Sequence, residues 1–262
     1  MAKKKSPRSI NRYFFFIIFF AVGLIAGLTL TKSLIVLNSN SLTMQIASIK
    51  EDSKFFSINA ELPQIKKAPK SFNRSVSAFV TNSISQFKKD SSENWATREE
   101  SNPPGTPKEE YPDSPFVFVG TWEPAQLNSD TLSFIVRLSY FSGGASSQDS
   151  LQTFNYNLKG KKEIKLSDLF PDDSDYLKKL SVISRNSLSS SLSQASSGNV
   201  DSQILDEGTE PTEENFSQFI FNGTTITLIF PRYQVAPGVF GEQQVMIPQD
   251  KASFESLYLE SL

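Results

Sequence analysis

The chain of 262 residues contains no cysteine and no histidine. Without cysteine it forms no disulfide, so oxidising and reducing compartments are equally open to it. Without histidine it lacks the usual general base near neutral pH and the usual transition-metal ligand. Zinc chemistry drops out with the two together. Serine-hydrolase chemistry would then rest on a Ser–Lys pair. The S-x-x-K from Ser85 to Lys88 falls inside a segment of helical periodicity, without the K-T-G or S-D-N elements that accompany such a site. Calcium needs only oxygen ligands, and two acidic groups offer them: Asp168, Asp172, Asp173 and Asp175, and the stretch DEGTE at 206–210. Neither has EF-hand spacing, and helix capping and a solvated loop account for them. No metal and no cofactor is expected. Because a glycosidase needs only two carboxylates, a carboxylate-dependent enzyme acting on polymer stays open as an alternative.

Acidic residues are missing from the first twelve positions, which carry Lys3, Lys4, Lys5, Arg8 and Arg12. A long apolar run without a charge comes next, from Tyr13 to Leu30. Eighteen helical residues reach about 27 Å, close to the hydrocarbon thickness of a bilayer. The run exceeds a signal-peptide core and no A-x-A site follows it, so it reads as an uncleaved anchor. The basic flank keeps the N-terminus inside and sends everything beyond Lys32 outside. The expectation is a single-pass cell-membrane protein with an extracytoplasmic C-terminal part. Gly23 and Gly27 form a GxxxG within the span, a weak contact motif for a structural, self-associating envelope component; the sequence does not fix a homo-oligomeric state. Beyond residue 12, 21 basic and 28 acidic side chains leave a net charge of −7, which repels nucleic acid.

The organisation expected is a tail (1–12), a span (13–30), a juxtamembrane stalk (31–41) and two modules, 42–158 and 159–262. A polar, proline-rich loop at 91–115 interrupts the first module. Its opening stretch reads as two strands, the second with Phe56, Ile58, Ala60 and Leu62 on one face. A helix follows, with Ser71 as N-cap, Phe72, Val76, Val80, Ile84 and Phe87 as its stripe, and Lys88 and Lys89 at its C-terminal end. Strands FVFVGTW, TLSFIVRLSYF and LQTFNYNL come next, and EIKL is joined through a turn at Lys159-Gly160-Lys161. In the second module a helix carries Leu177, Leu180, Ile183, Ser184 and Leu188, and a serine-rich loop at 189–203 follows it. A short helix over PTEENFSQ is capped by Thr212, and a type I′ hairpin turn is centred on Asn222-Gly223. SFESLYLESL closes the chain as a short amphipathic helix.

The connection FPRYQVAPGVFGEQQVMIP at 230–248 spends about a dozen residues where a hairpin needs two to five. Pro237-Gly238 suits a type II turn and Gly241 a bend, which would hold Tyr233, Gln234, Val235, Pro237 and Phe240 on a rigid loop. Folding back of Tyr233 and Phe240 over the sheet end is the competing arrangement. Gly143, Gly144 and Ser146 in SGGAS form a second candidate surface.

The stretches INAELPQI…SFNRSVSAFV, LSYFSGGAS, NYNLKGKKEIKLSDLF, DYLKKLSVISR, EGTEPTEENFSQFIF and YQVAPGVFGEQQVMIP occur in this order. From about Ser41 to Leu259 the chain resembles paired extracytoplasmic domains of bacterial envelope proteins. The first is similar to the non-catalytic N-terminal module of the peptidoglycan deacetylase PdaC. The second is similar to the C-terminal module of the anti-sigma factor RsiV. The resemblance implies an α+β fold with helices packed on antiparallel sheets. It also implies a binding role toward a lysozyme-like protein or wall peptidoglycan, without catalysis. The family often has a histidine where Ser146 stands here. The twelve-residue tail is too short for a sigma-binding domain, and no deacetylase domain is expected after Leu262.

Overall fold

The structure, a computed structural model, describes residues 29–36, 43–127, 130–171, 175–195 and 202–248. Seven strands form one sheet in chain order: β1 (Thr29–Val36), β2 (Thr43–Asp52), β3 (Phe56–Ile65), β4 (Phe116–Leu127), β5 (Thr131–Phe141), β6 (Gln148–Asn157) and β7 (Lys162–Glu163). Neighbours are antiparallel except β3 and β4, which run parallel and need a crossover. Helix α1 (Lys70–Ser101) supplies it and covers one face of the sheet. A second, antiparallel sheet has the order β10 (Gln243–Pro248), β9 (Thr225–Phe230), β8 (Phe219–Phe221). Helices α2 (Tyr176–Ala195) and α3 (Ser202–Gly208) share its core. The class is α+β.

Thr29 and Leu30, the last residues of the expected span, and the first part of the expected stalk form β1. The rest of the span, with Gly23 and Gly27, and the closing helix at 253–262 lie outside the described residues. Among the described residues no helix is long and apolar enough to cross a membrane.

Helix α1 buries Phe72, Val76, Val80, Ile84 and Phe87 as their spacing dictates. It does not stop near Asp90. The buried row runs on through Ser91, Trp95 and Glu99, four residues apart, so 91–101 is helix rather than loop. Polar side chains at two of those three positions disguise the period. Glu99 is buried because its carboxylate accepts from the Glu109 N–H (2.9 Å) and from Asn102 Nδ2 (3.3 Å). Trp95 packs edge-on against Phe55 and Phe116. Lys88 therefore sits mid-helix, 2.6 Å from Glu51, and Pro69 rather than Ser71 holds the N-cap position.

In the second module α2 continues through Ser189–Ala195 by burying Leu192, where a loop was expected. Residues 213–216 form a turn rather than a helix, with Thr212 Oγ1 accepting from the Asn215 N–H at 3.3 Å. The β8–β9 hairpin is shifted by one residue from the expected type I′ turn. Asn222 N–H bonds Thr225 O at 3.2 Å, so Gly223 and Thr224 are the central pair. Of those two only Gly223 has positive φ (98°), the requirement of a type II′ turn. The Asn222 carboxamide stays outside the pair and accepts from the Thr224 and Thr225 N–H groups.

Strand β5 explains how the two modules join. Leu132, Phe134, Val136 and Leu138 face α1, yet Thr131, Ser133 and Ile135 on the opposite face are buried as well. The second sheet covers them. Ile135 packs with Ile220 and Ile229. The edge of β8 that faces away from β9 carries four backbone groups, and side chains of β5 and β6 pair all four. Phe219 N–H donates to Thr153 Oγ1 (3.1 Å), and Phe219 O accepts from Asn155 Nδ2 (2.7 Å). Phe221 N–H donates to Asn155 Oδ1 (3.1 Å), and Phe221 O accepts from Ser133 Oγ (2.8 Å). Three side chains thus complete a ladder that a neighbouring strand would otherwise supply, as buried backbone polar groups require.

Candidate ligand-binding cleft

The loop 231–242 joins β9 to β10, and its middle is pinned. Val235 and Ala236 are buried in the second core, and the Gln234 carboxamide donates to Gly208 O (3.0 Å) and Asn215 O (2.9 Å). A Cβ on Gly208 would lie 2.0 Å from Gln234 O, so α3 must present glycine there. Gln234 and Val235, expected among the contact residues, hold the loop from inside. Either side of this plug faces outward. Tyr233 is 65 % exposed and adopts φ 75°, a left-handed conformation rare for a non-glycine residue. Its ring lies against Gly238, where a Cβ would come within 2.1 Å of Cε1, and the Arg232 guanidinium sits 5.0 Å from the ring centroid.

Gly238 is therefore needed for close approach, not for a type II turn. Pro237 leads into a short 3-10 turn, Gly238–Phe240, closed by Phe240 N–H to Pro237 O at 3.0 Å. The positive φ falls instead at Gly241 (67°), where the chain bends back into β10. Pro237 is exposed, Val239 at the tip is 86 % exposed, and Phe240 is partly buried against the second core. The competing arrangement, with Tyr233 and Phe240 both folded inward, holds for Phe240 only.

Beneath the loop lies a cleft of about 490 Å³ between Val239, Gly241 and the outer faces of β4 to β6, where Val119, Thr121 and Leu151 line it. Arg137 crosses its floor, donating to Glu123 and, through Nη2 at 3.1 Å, to Glu242. Burial alone would lower the Arg137 guanidinium, but the hydrogen bonds to Glu242 and then Glu123 outweigh it and raise it overall. Glu242 belongs to the loop, so this pair fastens the loop to the first sheet. Arg232 adds a second tie, 3.6 Å from Asp149 on β6.

That tie also brings the second expected surface close, because Ser146 precedes Asp149 by three residues. Gly143, Gly144 and Ser146 are exposed in the β5–β6 loop. Gly143 has φ 85°, and a Cβ on it would fall 2.6 Å from the Phe116 ring. It borders a smaller hollow of about 260 Å³ with Trp95, Arg98 and Phe141. Between hollow and cleft the outer surface of β4 and β5 exposes Val117, Val119 and Phe141. The sequence reading missed these three. Their signal was present in FVFVG, where apolar residues occupy both faces of a strand although burial of one face needs only alternation.

The remaining candidates separate. Ser85 Oγ donates back to Thr81 O (2.9 Å) while Lys88 pairs with Glu51. Asp168 caps the Lys165 N–H (2.9 Å), and Asp206 pairs with Arg185 at 2.9 Å. Among the described residues no three acidic side chains converge as a metal site would need.

The fold is that of a two-module α+β protein with a cleft where loop 231–242 meets the first sheet. Comparison with known proteins shows what each module is similar to. The model described as Deacetylase PdaC matches residues 49–148, and that described as Protein of unknown function (DUF3298) matches 167–250. The peptidoglycan-N-acetylmuramic acid deacetylase PdaC of Bacillus subtilis is 28 % identical over 208 residues. The match takes in 78 % of this chain but only 40 % of that enzyme's length. Two crystal structures of DUF3298 proteins share the fold. That from Bacteroides fragilis has a TM-score of 0.55 at 15 % identity, covering 83 % of this chain and 94 % of its own. That from Pseudomonas aeruginosa has a TM-score of 0.53 at 11 % identity, covering 86 % and 93 %. Residues 49–148 are thus similar to a PdaC-type module and residues 167–250 to a DUF3298 module, in the order in which the first sheet and the second follow one another in the chain.

Proposed function

We propose that this is a membrane-anchored recognition module of the bacterial cell envelope, holding a protein ligand of the lysozyme class at the cleft beneath loop 231–242. The observation that carries the reading is the grouping of exposed apolar side chains. Val119 and Val239 line the cleft, Phe141 borders the neighbouring hollow with Val117 paired beside it across β4 and β5, and the Tyr233 ring lies against the cleft-lining Gly238; all five are exposed. A contiguous apolar surface rimmed by polar groups is the mark of a protein contact, and a tyrosine on a rigid support is a favoured anchor. The carboxylates bordering the cleft, Glu242 and Asp149, are already engaged by Arg137 and Arg232, which suits holding better than proton transfer. Placement outside the membrane rests on the basic tail and the uncharged run 13–30.

The test uses the full chain in detergent micelles and immobilised lysozyme. Retention that falls at least tenfold for both Tyr233→Ala and Val239→Asp supports the reading. Retention unaffected by either, or absent from the unaltered chain, refutes it. Protease added to intact spheroplasts should remove the part beyond residue 41 and spare the tail.

A further inference from the structure

On the other flank of β6 lies a second cleft, of about 450 Å³, between the β6–β7 corner, the 3-10 turn at Leu166–Leu169 and the segment 213–219. Its chemistry differs from that of the loop cleft. The wall is built from Gln152, Glu163, Lys165, Ser167, Tyr176 and Glu213, whose side-chain polar ends make no hydrogen bond or ion pair with the rest of the described chain. Gln218 is half used: its Oε1 accepts from the Thr153 N–H (2.9 Å), while its Nε2 reaches only Ser217 Oγ at 3.4 Å. The supports of these groups are rigid. The Tyr176 ring stacks on Phe170, 4.7 Å between centroids and 14° between planes, which fixes the direction of its hydroxyl. Burial, and then the charge of the Glu213 carboxylate, push the Tyr176 phenol upward, and both residues line the cleft. Phe216 and Phe219, both buried, floor the cleft and belong to the core.

We infer that this cleft binds a neutral oligosaccharide. The volume lies in the range of small-molecule sites, but a lining of amides, hydroxyls and carboxylates matches hydroxyl-rich rings rather than an apolar ligand. Two carboxylates against one ammonium disfavour an anionic chain. Tyr176 offers both a ring edge and a hydroxyl, and Gln152 and Gln218 offer the paired donor and acceptor that sugar hydroxyls and acetamido groups use. The site is separate from the loop cleft, and neither assignment depends on the other.

The experiment titrates the full chain in detergent micelles with chitotetraose, in parallel with cellotetraose, a neutral chain without acetamido groups. Saturable binding of either is expected. Tyr176→Phe, Glu213→Gln and Gln152→Ala should each weaken it about tenfold, the loss of one hydrogen bond of ordinary strength. Thermal midpoints should stay unchanged, because none of these groups bonds within the fold. Val239→Asp, in the other cleft, should leave the titration alone while abolishing capture of lysozyme. Failure of both glycans to bind at millimolar concentration overturns the proposal, as does binding that all three variants leave intact. Loss of lysozyme capture alone bears on the loop cleft and not on this one.

Discussion

Replacing Asn155 by alanine should separate the modules energetically. The side chain is 3 % exposed and bonds two backbone groups of β8 at once, Phe219 O at 2.7 Å and Phe221 N–H at 3.1 Å. Alanine leaves both groups buried and unpaired. Each unsatisfied group costs about 1–3 kcal/mol, and the small cavity adds to it, so the loss should reach about 4 kcal/mol. Ser133 does not rescue Phe219 O, since its single proton serves Phe221 O at 2.8 Å. A loss of that size is a large share of the 5–15 kcal/mol available to a typical domain. With a urea m-value of about 2 kcal/mol/M, the midpoint should fall by roughly 2 M. Amide exchange supplies a local readout: the Phe221 N–H should lose protection first, before the amides of α1. Asn155→Asp keeps the acceptor for Phe221 and loses the donor to Phe219, and it sets a negative charge beside that carbonyl, so it should be no better than alanine. A measured loss below 1 kcal/mol for Asn155→Ala, or a Phe221 amide that stays protected, would mean that water or a backbone shift satisfies β8 and that the ladder is not what joins the modules.

The Tyr156 hydroxyl is buried with no partner, so Tyr156→Phe should stabilise the chain by up to about 1 kcal/mol in urea titration. Burial also raises the phenols of Tyr140, Tyr156 and Tyr176 above 10, with Asp90 and Glu213 adding to the first and last. An acid whose folded pKa is raised contributes stability that is complete below its unfolded value and lost as pH climbs through the folded one. Stability should therefore be flat through these groups up to about pH 9 and decline above pH 10, less steeply in Tyr156→Phe. Gly238→Ala should push the Tyr233 ring off the loop, seen as a changed tyrosine environment and weaker capture, with little change in urea midpoint because the ring is largely exposed. Arg137→Met should release Glu242 and loosen the loop, raising amide exchange at 238–242, at a cost of about 1–3 kcal/mol.

Much of this fold could be read from spacing alone. Phe72, Val76, Val80, Ile84 and Phe87 announce a helix, and Leu132, Phe134, Val136 and Leu138 announce a strand with one face inward, because apolar burial at a fixed period is a local property. What stayed hidden depends on partners distant in sequence. Ser91 and Glu99 lie on the buried row of α1, but a polar residue declares burial only when its partner is known, and Glu99's is ten residues away at Glu109. Ser133 and Asn155 look like solvent-facing positions of an ordinary amphipathic sheet. Their partners are 64 to 88 residues on, in β8.

The cleft divides along the same line. The length and the Pro-Gly content of 231–242 marked a built loop, but which side chains face outward was decided by Gly208 and Asn215, whose carbonyls capture Gln234 and so turn Val235 in and Tyr233 out. A loop held by an internal plug can expose Tyr233 and Val239 without the ordering cost that a mobile loop would incur on binding. If that is the purpose of the plug, Gln234→Ala should weaken lysozyme capture although Gln234 touches no ligand. Dissociation should change little, and the loss should appear as slower association, because the competent loop would be only a fraction of the population. Calorimetry should then show a more unfavourable binding entropy for Gln234→Ala than for Tyr233→Ala. Equal entropies in the two variants would place Gln234 among the contacts themselves and leave the plug without a role in preorganisation.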